Sequence, residues 1–157
     1  MNRAVIDAVD EAAASGSCAK KTVGSVIVKD GEILIRGFNG RPGKNKCSDG
    51  GCPRCVATDL FDHGRGHDIC SCVHAEQSTI VTAAREGIAI GGCDLYSTYQ
   101  PCMTCLKLIV ASGVSAVFYR EPWEVPTVPE VPELADDYWD LASQLPGGMH
   151  PFPETSN

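Results

Sequence analysis

Two short motifs constrain the fold of this chain more than any other feature, namely His74-Ala75-Glu76 and Pro101-Cys102-Met103-Thr104-Cys105. They contain three side chains that bind zinc readily, together with one glutamate that this set does not need as a ligand. A structural zinc is closed by four protein ligands, whereas a catalytic zinc keeps three and leaves the fourth position to water. The chain is therefore predicted to fold so that residues 74–76 and 101–105 meet around a catalytic zinc.

Each motif is predicted to open a helix. The spacing of Cys102 and Cys105 places both sulfurs on one side of a helix, one turn apart. Pro101 is tolerated there because the first helical amides have no partner, and the helix N-terminus favours thiolates over thiols. A Cys-x-x-Cys pair alone also fits a zinc ribbon or a redox pair, but His74 and Glu76 upstream make the catalytic site the better interpretation.

The length and net charge of the chain limit the classes of substrate and the cellular location that we expect. A chain of 157 residues is expected to form one domain, and its net charge of -7 disfavours broad binding to nucleic-acid backbones. A small anionic substrate remains compatible with the local basic residues, which are Lys20, Lys21, Arg41, Lys44, Lys46 and Arg54. Since no apolar run is long enough to cross a bilayer and residues 1–7 lack the apolar core of a signal peptide, we expect a cytoplasmic protein with no membrane partner.

The chain has nine cysteines, a high count for its length. An odd number without a signal peptide speaks against a secreted disulfide scaffold, so metal binding is the better interpretation. Two of the nine belong to the motif at 101–105. Six others lie before or beside the histidine motif, at Cys18, Cys47, Cys52, Cys55, Cys70 and Cys72.

Hydrophobic periodicity predicts alternating helices and strands. The predicted helices cover residues 4–14, 74–86 and 102–112, and the predicted strands cover residues 23–29, 32–38, 93–98 and 114–119. Asp30 and Gly31 predict a tight turn that joins the first two strands into a hairpin. Helices that alternate with strands imply a parallel part of the sheet with helices on its faces, to which the hairpin adds an antiparallel edge.

Two stretches have weak periodicity. Residues 39–67 are rich in glycine, proline, cysteine and charge, so this segment is either mobile or held by something other than a hydrophobic core. Residues 121–132 contain four prolines and are predicted to form an extended strap. A last helix is predicted at 134–145, and no regular structure is predicted for 146–157.

Five segments in order make the chain similar to a known family. They are Ser17-Cys18-Ala19-Lys20-Lys21-Thr22-Val23-Gly24, Gly37-Phe38-Asn39-Gly40-Arg41-Pro42, Cys47-Ser48-Asp49 and the two zinc motifs. The chain resembles the cytidine and deoxycytidylate deaminase superfamily over residues 2–120, and the segment at 37–42 is closer to the deoxycytidylate (dCMP) deaminases. The resemblance implies a three-layer α/β/α fold, a mixed sheet with helices on both faces, and a homo-oligomer. Residues 1–120 would form the deaminase domain, and residues 121–157 a proline-rich strap with a short helix.

The resemblance also assigns the reaction. It implies that His74, Cys102 and Cys105 hold the catalytic zinc. Glu76 would take a proton from the zinc-bound water, protonate N3 of a cytosine ring and then protonate the leaving amine. The expected reaction converts dCMP to dUMP with release of ammonia.

Four residues are predicted to bind the substrate, namely Asn39, Ala75, Gln100 and Arg41. For Asn39, the resemblance implies a hydrogen bond to the sugar of the substrate, while its alternative role is a turn asparagine in an Asn-Gly bend. Arg41, together with Lys44 and Lys46, would meet a phosphate of the substrate or of a nucleotide effector, or would simply lie on a solvated loop.

A second, structural zinc is the predicted reason for the remaining cysteines. By resemblance, its ligands would be Cys18, Cys47, Cys52 and Cys70. The rival ligands are Cys55, Cys72, His63 and His67, and the alternative is a set of unliganded thiols. A closed tetrahedral site would replace the missing hydrophobic core in the segment that follows residue 39.

Other functions remain open at this point. A free nucleoside, a modified cytosine or another aminopyrimidine is an alternative substrate, because Ser78-Thr79 stands where the family has Asn-Ala. A non-catalytic, zinc-stabilised nucleotide sensor is an alternative of a different class, although a purely structural site has no use for Glu76. A polynucleotide substrate is disfavoured because the chain is acidic and has no evident basic groove rich in aromatic residues.

Overall fold

A five-stranded mixed sheet forms the middle of the molecule. The computed structural model describes residues 2–43, 47, 49–57, 66, 69–127, 129 and 131–153. In chain order the elements are α1 (Arg3–Ala14), β1 (Gly24–Lys29), β2 (Glu32–Phe38), α2 (Pro53–Val56), α3 (Ala75–Glu86), β3 (Asp94–Tyr99), α4 (Met103–Ala111), β4 (Ala116–Glu121), α5 (Glu133–Ala142) and β5 (Gly148–Pro151).

The strand order is β2-β1-β3-β4-β5. Strand β1 is antiparallel to both β2 and β3, whereas β3, β4 and β5 run parallel to one another. Asp30 and Gly31 make the turn between β1 and β2 with positive φ angles of 50° and 83°. The hairpin at the antiparallel edge and the parallel part of the sheet therefore confirm the predicted mixed sheet.

Both faces of the sheet are covered by helices. Val26 and Val28 of β1 pack with Val9 of α1 in one buried cluster. The intervening Ile27 points to the opposite face, where it joins Leu95 in a larger cluster that includes buried residues of α3, α4 and α5. This alternation follows from the two-residue period of a strand, and it confirms the predicted three-layer α/β/α architecture.

The two zinc motifs lie where α3 and α4 begin. His74 is the residue before α3, and its backbone N–H donates to Oε1 of Gln77 at 3.0 Å, which ties the first turn to the motif. Helix α3 ends at Gly87, which adopts the left-handed conformation with φ of 68°. Cys102 is the residue before α4, and its carbonyl accepts from the N–H of Leu106 at 2.8 Å. Both helices therefore begin at the motifs.

Strand β2 lies close beneath α3. A Cβ atom at Gly37 would lie 2.7 Å from the carbonyl oxygen of Ala75 and would also clash with the hydroxyl of Thr79. Thr79 is itself buried and donates to the Ala75 carbonyl at 2.8 Å. Glycine is therefore required in β2 for the helix that carries the histidine motif to lie on the sheet.

The C-terminal segment is more regular than its sequence indicates. The last helix, predicted at 134–145, is α5, and its Tyr138 is fully buried. No strand was expected after residue 146, but β5 pairs with β4, and the N–H of Phe152 donates to the Tyr119 carbonyl at 2.6 Å. A four-residue strand is too short to give a periodic signal, which explains the wrong prediction. Among the described residues, none of the helices has both the length and the apolar character needed to cross a membrane.

Candidate zinc centre and active-site pocket

The three predicted ligands of the catalytic zinc converge at the ends of the two motifs. Nδ1 of His74 lies 3.5 Å from Sγ of Cys102 and 3.4 Å from Sγ of Cys105. The two sulfurs are 3.7 Å apart. We call these three residues the histidine–cysteine group. Since their ligand atoms form a small triangle, a single metal ion can contact all of them.

The dimensions of this triangle fit zinc. Zn–S bonds of about 2.3 Å and Zn–N bonds of about 2.0–2.1 Å at tetrahedral angles give S···S edges of about 3.8 Å and S···N edges of about 3.6 Å. The chemistry of the donors fits as well. The hydrogen bond with Cys102 and burial raise the pKa of the Cys105 thiol, and a cation at this position would reverse that effect by stabilising the thiolate.

Glu76 lies beside the group without belonging to it. Its side chain is only 4% exposed, and its Oε2 lies 3.6 Å from Sγ of Cys105. Burial raises the pKa of the Glu76 carboxyl above its ordinary value. A buried carboxyl with a raised pKa, one residue into a helix and adjacent to a three-ligand group, has the properties of a proton-transfer group.

A cavity of about 270 Å³ opens above the group. Its floor includes His74, Ala75, Glu76 and Cys102. The volume is near the lower end of the range of about 300–1,000 Å³ that is usual for small-molecule sites. The pocket therefore suits a small substrate whose reacting atom reaches the floor.

Three of the four predicted substrate residues line this pocket, namely Asn39, Ala75 and Gln100. Arg41 does not, and its side chain is exposed. Arg41 follows Gly40, which pairs with Val73 in an isolated β-bridge. The contact of Arg41 with the substrate therefore stays a prediction without support from the pocket lining, and Lys44 and Lys46 lie outside the described residues.

Asn39 and Gln100 use their amide groups to hold neighbouring segments. Asn39 accepts a hydrogen bond from the N–H of Val23 at 2.8 Å and donates to the carbonyl of Lys21 at 2.7 Å. Gln100 donates to the hydroxyl of Tyr138 at 3.1 Å and accepts from the N–H of Trp123 at 3.4 Å. Both buried side chains therefore fix the walls of the pocket, whatever further contacts they make with a substrate.

Several lining residues were not identified as site residues from the sequence. Trp123 comes from the proline-rich strap, and its ring lies 5.5 Å from that of Tyr138. Lys21 places its Nζ 3.7 Å from the centroid of the Tyr99 ring. Arg54 lies on α2, and its side chain is buried in the pocket wall. The basic character of Lys21 and Arg54 was visible in the sequence, but nothing indicated that they face the same pocket.

A second group of sulfurs forms around α2. The sulfurs of Cys47, Cys52 and Cys55 all lie within 4.8 Å of one another, and those of Cys52 and Cys55 are 3.5 Å apart. We call these three residues the loop-cysteine group. Sγ of Cys70 lies 3.9 Å from that of Cys52, close to the edge of about 3.8 Å expected between thiolates on one zinc. The structure therefore brings three sulfurs together, with the sulfur of Cys70 next to that of Cys52 as the candidate for a fourth ligand.

This grouping differs from the predicted ligand set in one member. Cys55 joins the group because α2 places it one helical turn after Cys52. Cys18 instead forms a hydrogen bond with Cys72 that lowers the pKa of Cys18 to about 5, and it lines the active-site pocket. Two further rivals, His63 and His67, lie outside the described residues.

The residues changed relative to the family pattern lie away from the pocket lining. The amide of Gln77 holds the backbone of His74, and Thr79 fills the space left by Gly37. Neither Ser78 nor Thr79 is among the described residues that line the pocket. The change from Asn-Ala to Ser78-Thr79 therefore acts on the packing of the helix and not directly on the described pocket.

Comparisons with known proteins agree with this geometry. Residues 2–121 match the family model of the cytidine and deoxycytidylate deaminase zinc-binding region. The deoxycytidylate deaminase of Schizosaccharomyces pombe is 35% identical over 115 residues, which cover 73% of this chain and 35% of that protein. The deoxycytidylate deaminase of Mycobacterium phage D29 is 38% identical over 112 residues, which cover 69% of this chain and 84% of that protein.

The solved structures agree at the level of the fold. The apo dCMP deaminase of cyanophage S-TIM5 superposes with a TM-score of 0.67 at 26% identity, covering 97% of this chain and all of that one. The matched part of this chain covers only about a third of the length of two yeast deoxycytidylate deaminases, namely 35% of the protein from Schizosaccharomyces pombe and 35% of the protein from Saccharomyces cerevisiae. With the family model covering residues 2–121, the chain belongs to the family that shares the cytidine and deoxycytidylate deaminase zinc-binding region.

Proposed function

We propose that the chain is a zinc-dependent hydrolytic deaminase that converts dCMP to dUMP and releases ammonia. The observation that carries the proposal is the histidine–cysteine group, whose spacing fits three ligands of one zinc, with the buried Glu76 beside it at the floor of a pocket. The family membership supports the reaction, and the relatives named deoxycytidylate deaminase support the substrate.

The role of the group is to hold a zinc with one position open for water. Zinc lowers the pKa of a bound water to about 7 and so supplies a nucleophile near neutral pH. Glu76 is the only carboxylate among the described lining residues of the pocket, so it is the group that can move protons there. Its carboxylate would take one proton from the attacking water and deliver it to N3 of the cytosine ring. It would then take the remaining water proton from the hydroxyl formed at C4 and deliver it to the amine, so that ammonia leaves and a carbonyl remains at C4.

The walls of the pocket orient the base and limit the access of water. Tyr99 and Trp123 supply aromatic surface on which a planar pyrimidine can pack. Asn39 and Gln100 are proposed as substrate-binding residues that act with their amides already fixed by the protein. Such fixed groups favour one orientation of the ring, with its amino-bearing carbon toward the floor.

A second zinc is proposed at the loop-cysteine group together with Cys70. Its role is structural because four protein sulfurs leave no position for water. The proposal rests on the S···S distances of 3.5 Å and 3.9 Å around Cys52. It gives the segment after residue 43 a source of stability that its composition does not otherwise provide.

A cytoplasmic homo-oligomer is proposed as the working form. Val81 on α3 and Leu108 on α4 are 60% and 40% exposed, so both helices carry apolar side chains outside the core described above. Burial of such side chains against a second copy is a common way to complete the outer helical layer.

The test is turnover on a panel of substrates with the zinc-loaded protein. We would incubate it with dCMP, CMP, dCTP, deoxycytidine and cytidine and follow the replacement of an amino group by oxygen through mass spectrometry. The proposal predicts selective conversion of dCMP. Conversion of deoxycytidine alone would favour the nucleoside alternative, and zinc binding without any turnover would favour the sensor.

A further inference from the structure

Arg54 is a buried cation in the pocket wall. Its side chain is 7% exposed, and among the described residues the only other buried charged side chain is Glu76. Both line the same pocket. A buried guanidinium needs partners that compensate for the lost water, and Arg54 interacts with another group of the protein. Because its side chain also lines the pocket, its charge is within reach of a ligand bound there.

The backbone on either side of Arg54 is held in place. Arg54 lies between Cys52 and Cys55, whose sulfurs are 3.5 Å apart in the loop-cysteine group. The short helix α2 begins at Pro53, which restricts the backbone immediately before Arg54. A guanidinium presented from such a fixed segment loses less conformational entropy when it binds a ligand.

The charges around Arg54 suit a dianion. Lys20 and Lys21 also line the pocket, and Lys21 is held over the ring of Tyr99 at 3.7 Å. Three cations therefore lie on the wall, while the carboxyl of Glu76 lies at the floor. A guanidinium binds a phosphate through two parallel hydrogen bonds, which a lysine cannot reproduce.

We infer that Arg54 binds the 5′-phosphate of the substrate and makes the enzyme selective for a nucleoside monophosphate over the free nucleoside. The inference rests on the proposed deaminase function and adds the residue that determines its substrate class. It also explains why the loop-cysteine group stands next to the active site, because that group holds the segment that carries the phosphate ligand.

Kinetics with dCMP and deoxycytidine test the inference. Replacing Arg54 by alanine should lower kcat/KM for dCMP on the order of 100-fold, mainly through KM, because a buried charged partner of the phosphate is lost. In the same variant, kcat/KM for deoxycytidine should stay within about threefold of the wild-type value, since that substrate has no phosphate. Arg54→Lys should recover part of the activity on dCMP, because it keeps the charge without the planar fork.

Three further variants serve as controls. Arg54→Met keeps much of the length of the side chain and is used if the alanine variant fails to fold, as judged by circular dichroism and zinc content. Arg85→Ala removes an exposed arginine at the far end of α3 and should leave kcat/KM unchanged for both substrates. Arg41→Ala tests the arginine that the sequence favoured, and it should leave the ratio of the two substrates unchanged.

A binding measurement separates this inference from the proposed function. In a Glu76→Gln background, calorimetry should give a dissociation constant for dCMP about 100-fold lower than that for deoxycytidine, and Arg54→Ala should remove the difference. Inorganic phosphate should weaken the binding of dCMP by competition. Free phosphate that binds without competing with dCMP would mean a separate anion site and would overturn the inference.

The outcomes are distinct. Equal loss of activity on both substrates in Arg54→Ala would mean that Arg54 supports only the structure of the wall, and unchanged activity on dCMP would mean that it does not contact the phosphate. Either result overturns the inference while the deaminase proposal stands. Absence of turnover on both substrates by the zinc-loaded wild-type protein overturns the proposed function, and the binding measurement still decides the role of Arg54.

Discussion

The histidine–cysteine group and the loop-cysteine group differ in what holds them together. The first lies at the N-termini of α3 and α4, which pack on the sheet through buried residues such as Ala83, Leu106 and Ile109. The second lies in a segment whose only regular element among the described residues is the four-residue helix α2. The core of the fold thus fixes the first site, whereas the second site would depend on the zinc proposed there.

This difference explains why one site was easier to predict than the other. Hydrophobic periodicity located the helices that carry His74, Cys102 and Cys105, so the motif predicted the group. Periodicity is absent around Cys47, and neither the choice of Cys55 over Cys18 nor the position of Arg54 can be derived from spacing. The strap residue Trp123 was missed for the same reason, because an extended segment has no preferred face.

The overall fold was predictable to a similar extent. The alternation of helices and strands predicted the mixed sheet and its covering helices, and the ends of most elements differ from the prediction by one or two residues. Strand β5 was missed because its four residues pair with β4 through backbone hydrogen bonds, which leave no pattern in the side chains. Local pattern therefore predicts the elements that carry a buried face, but not those held mainly by their backbone.

The largest expected effect is at the site fixed by the core. Glu76→Gln should lower kcat on dCMP by about 10³-fold or more, because an amide cannot accept and return a proton. Zinc content should remain that of the wild type, since Glu76 is not a ligand in the proposed site. Steady-state kinetics and metal analysis of the same sample check both statements, and a kcat within tenfold of the wild type would remove Glu76 from the reaction.

A smaller effect is expected at the site held by its sulfurs. Cys55→Ser should reduce the zinc content from two to one per chain and lower the free energy of unfolding by about 3 kcal/mol, because the segment around α2 loses its metal. Cys18→Ser is the matched variant and should retain both zinc ions. The reverse pattern would restore the ligand set predicted from the sequence, with Cys18 as a ligand.

The contribution of the sheet to the first site can be measured at Gly37. Gly37→Ala should lower the free energy of unfolding by about 2 kcal/mol and reduce turnover, because the added methyl group pushes α3 away from β2. Gly91→Ala is the control, since a Cβ there meets no atom within 4 Å. Equal denaturation midpoints for the two variants would contradict the close packing described for β2 and α3.

The smallest effect is expected at Asn39. Asn39→Ala should lower the free energy of unfolding by about 1–2 kcal/mol, because two backbone groups at Val23 and Lys21 lose their partner. If Asn39 also contacts the sugar, KM for dCMP should rise by about tenfold, and Asn39→Asp should retain only the bond from Val23. A loss of stability with unchanged KM would restrict Asn39 to a structural role.

The account depends most on the claim that His74, Cys102 and Cys105 with Glu76 form a zinc-dependent deaminase centre. The most direct measurement is a zinc titration of chelator-treated protein, in which dCMP turnover is followed as zinc is returned. We predict no turnover without metal and recovery in proportion to the zinc bound by the histidine–cysteine group. Full turnover of dCMP in the metal-free protein would contradict the account.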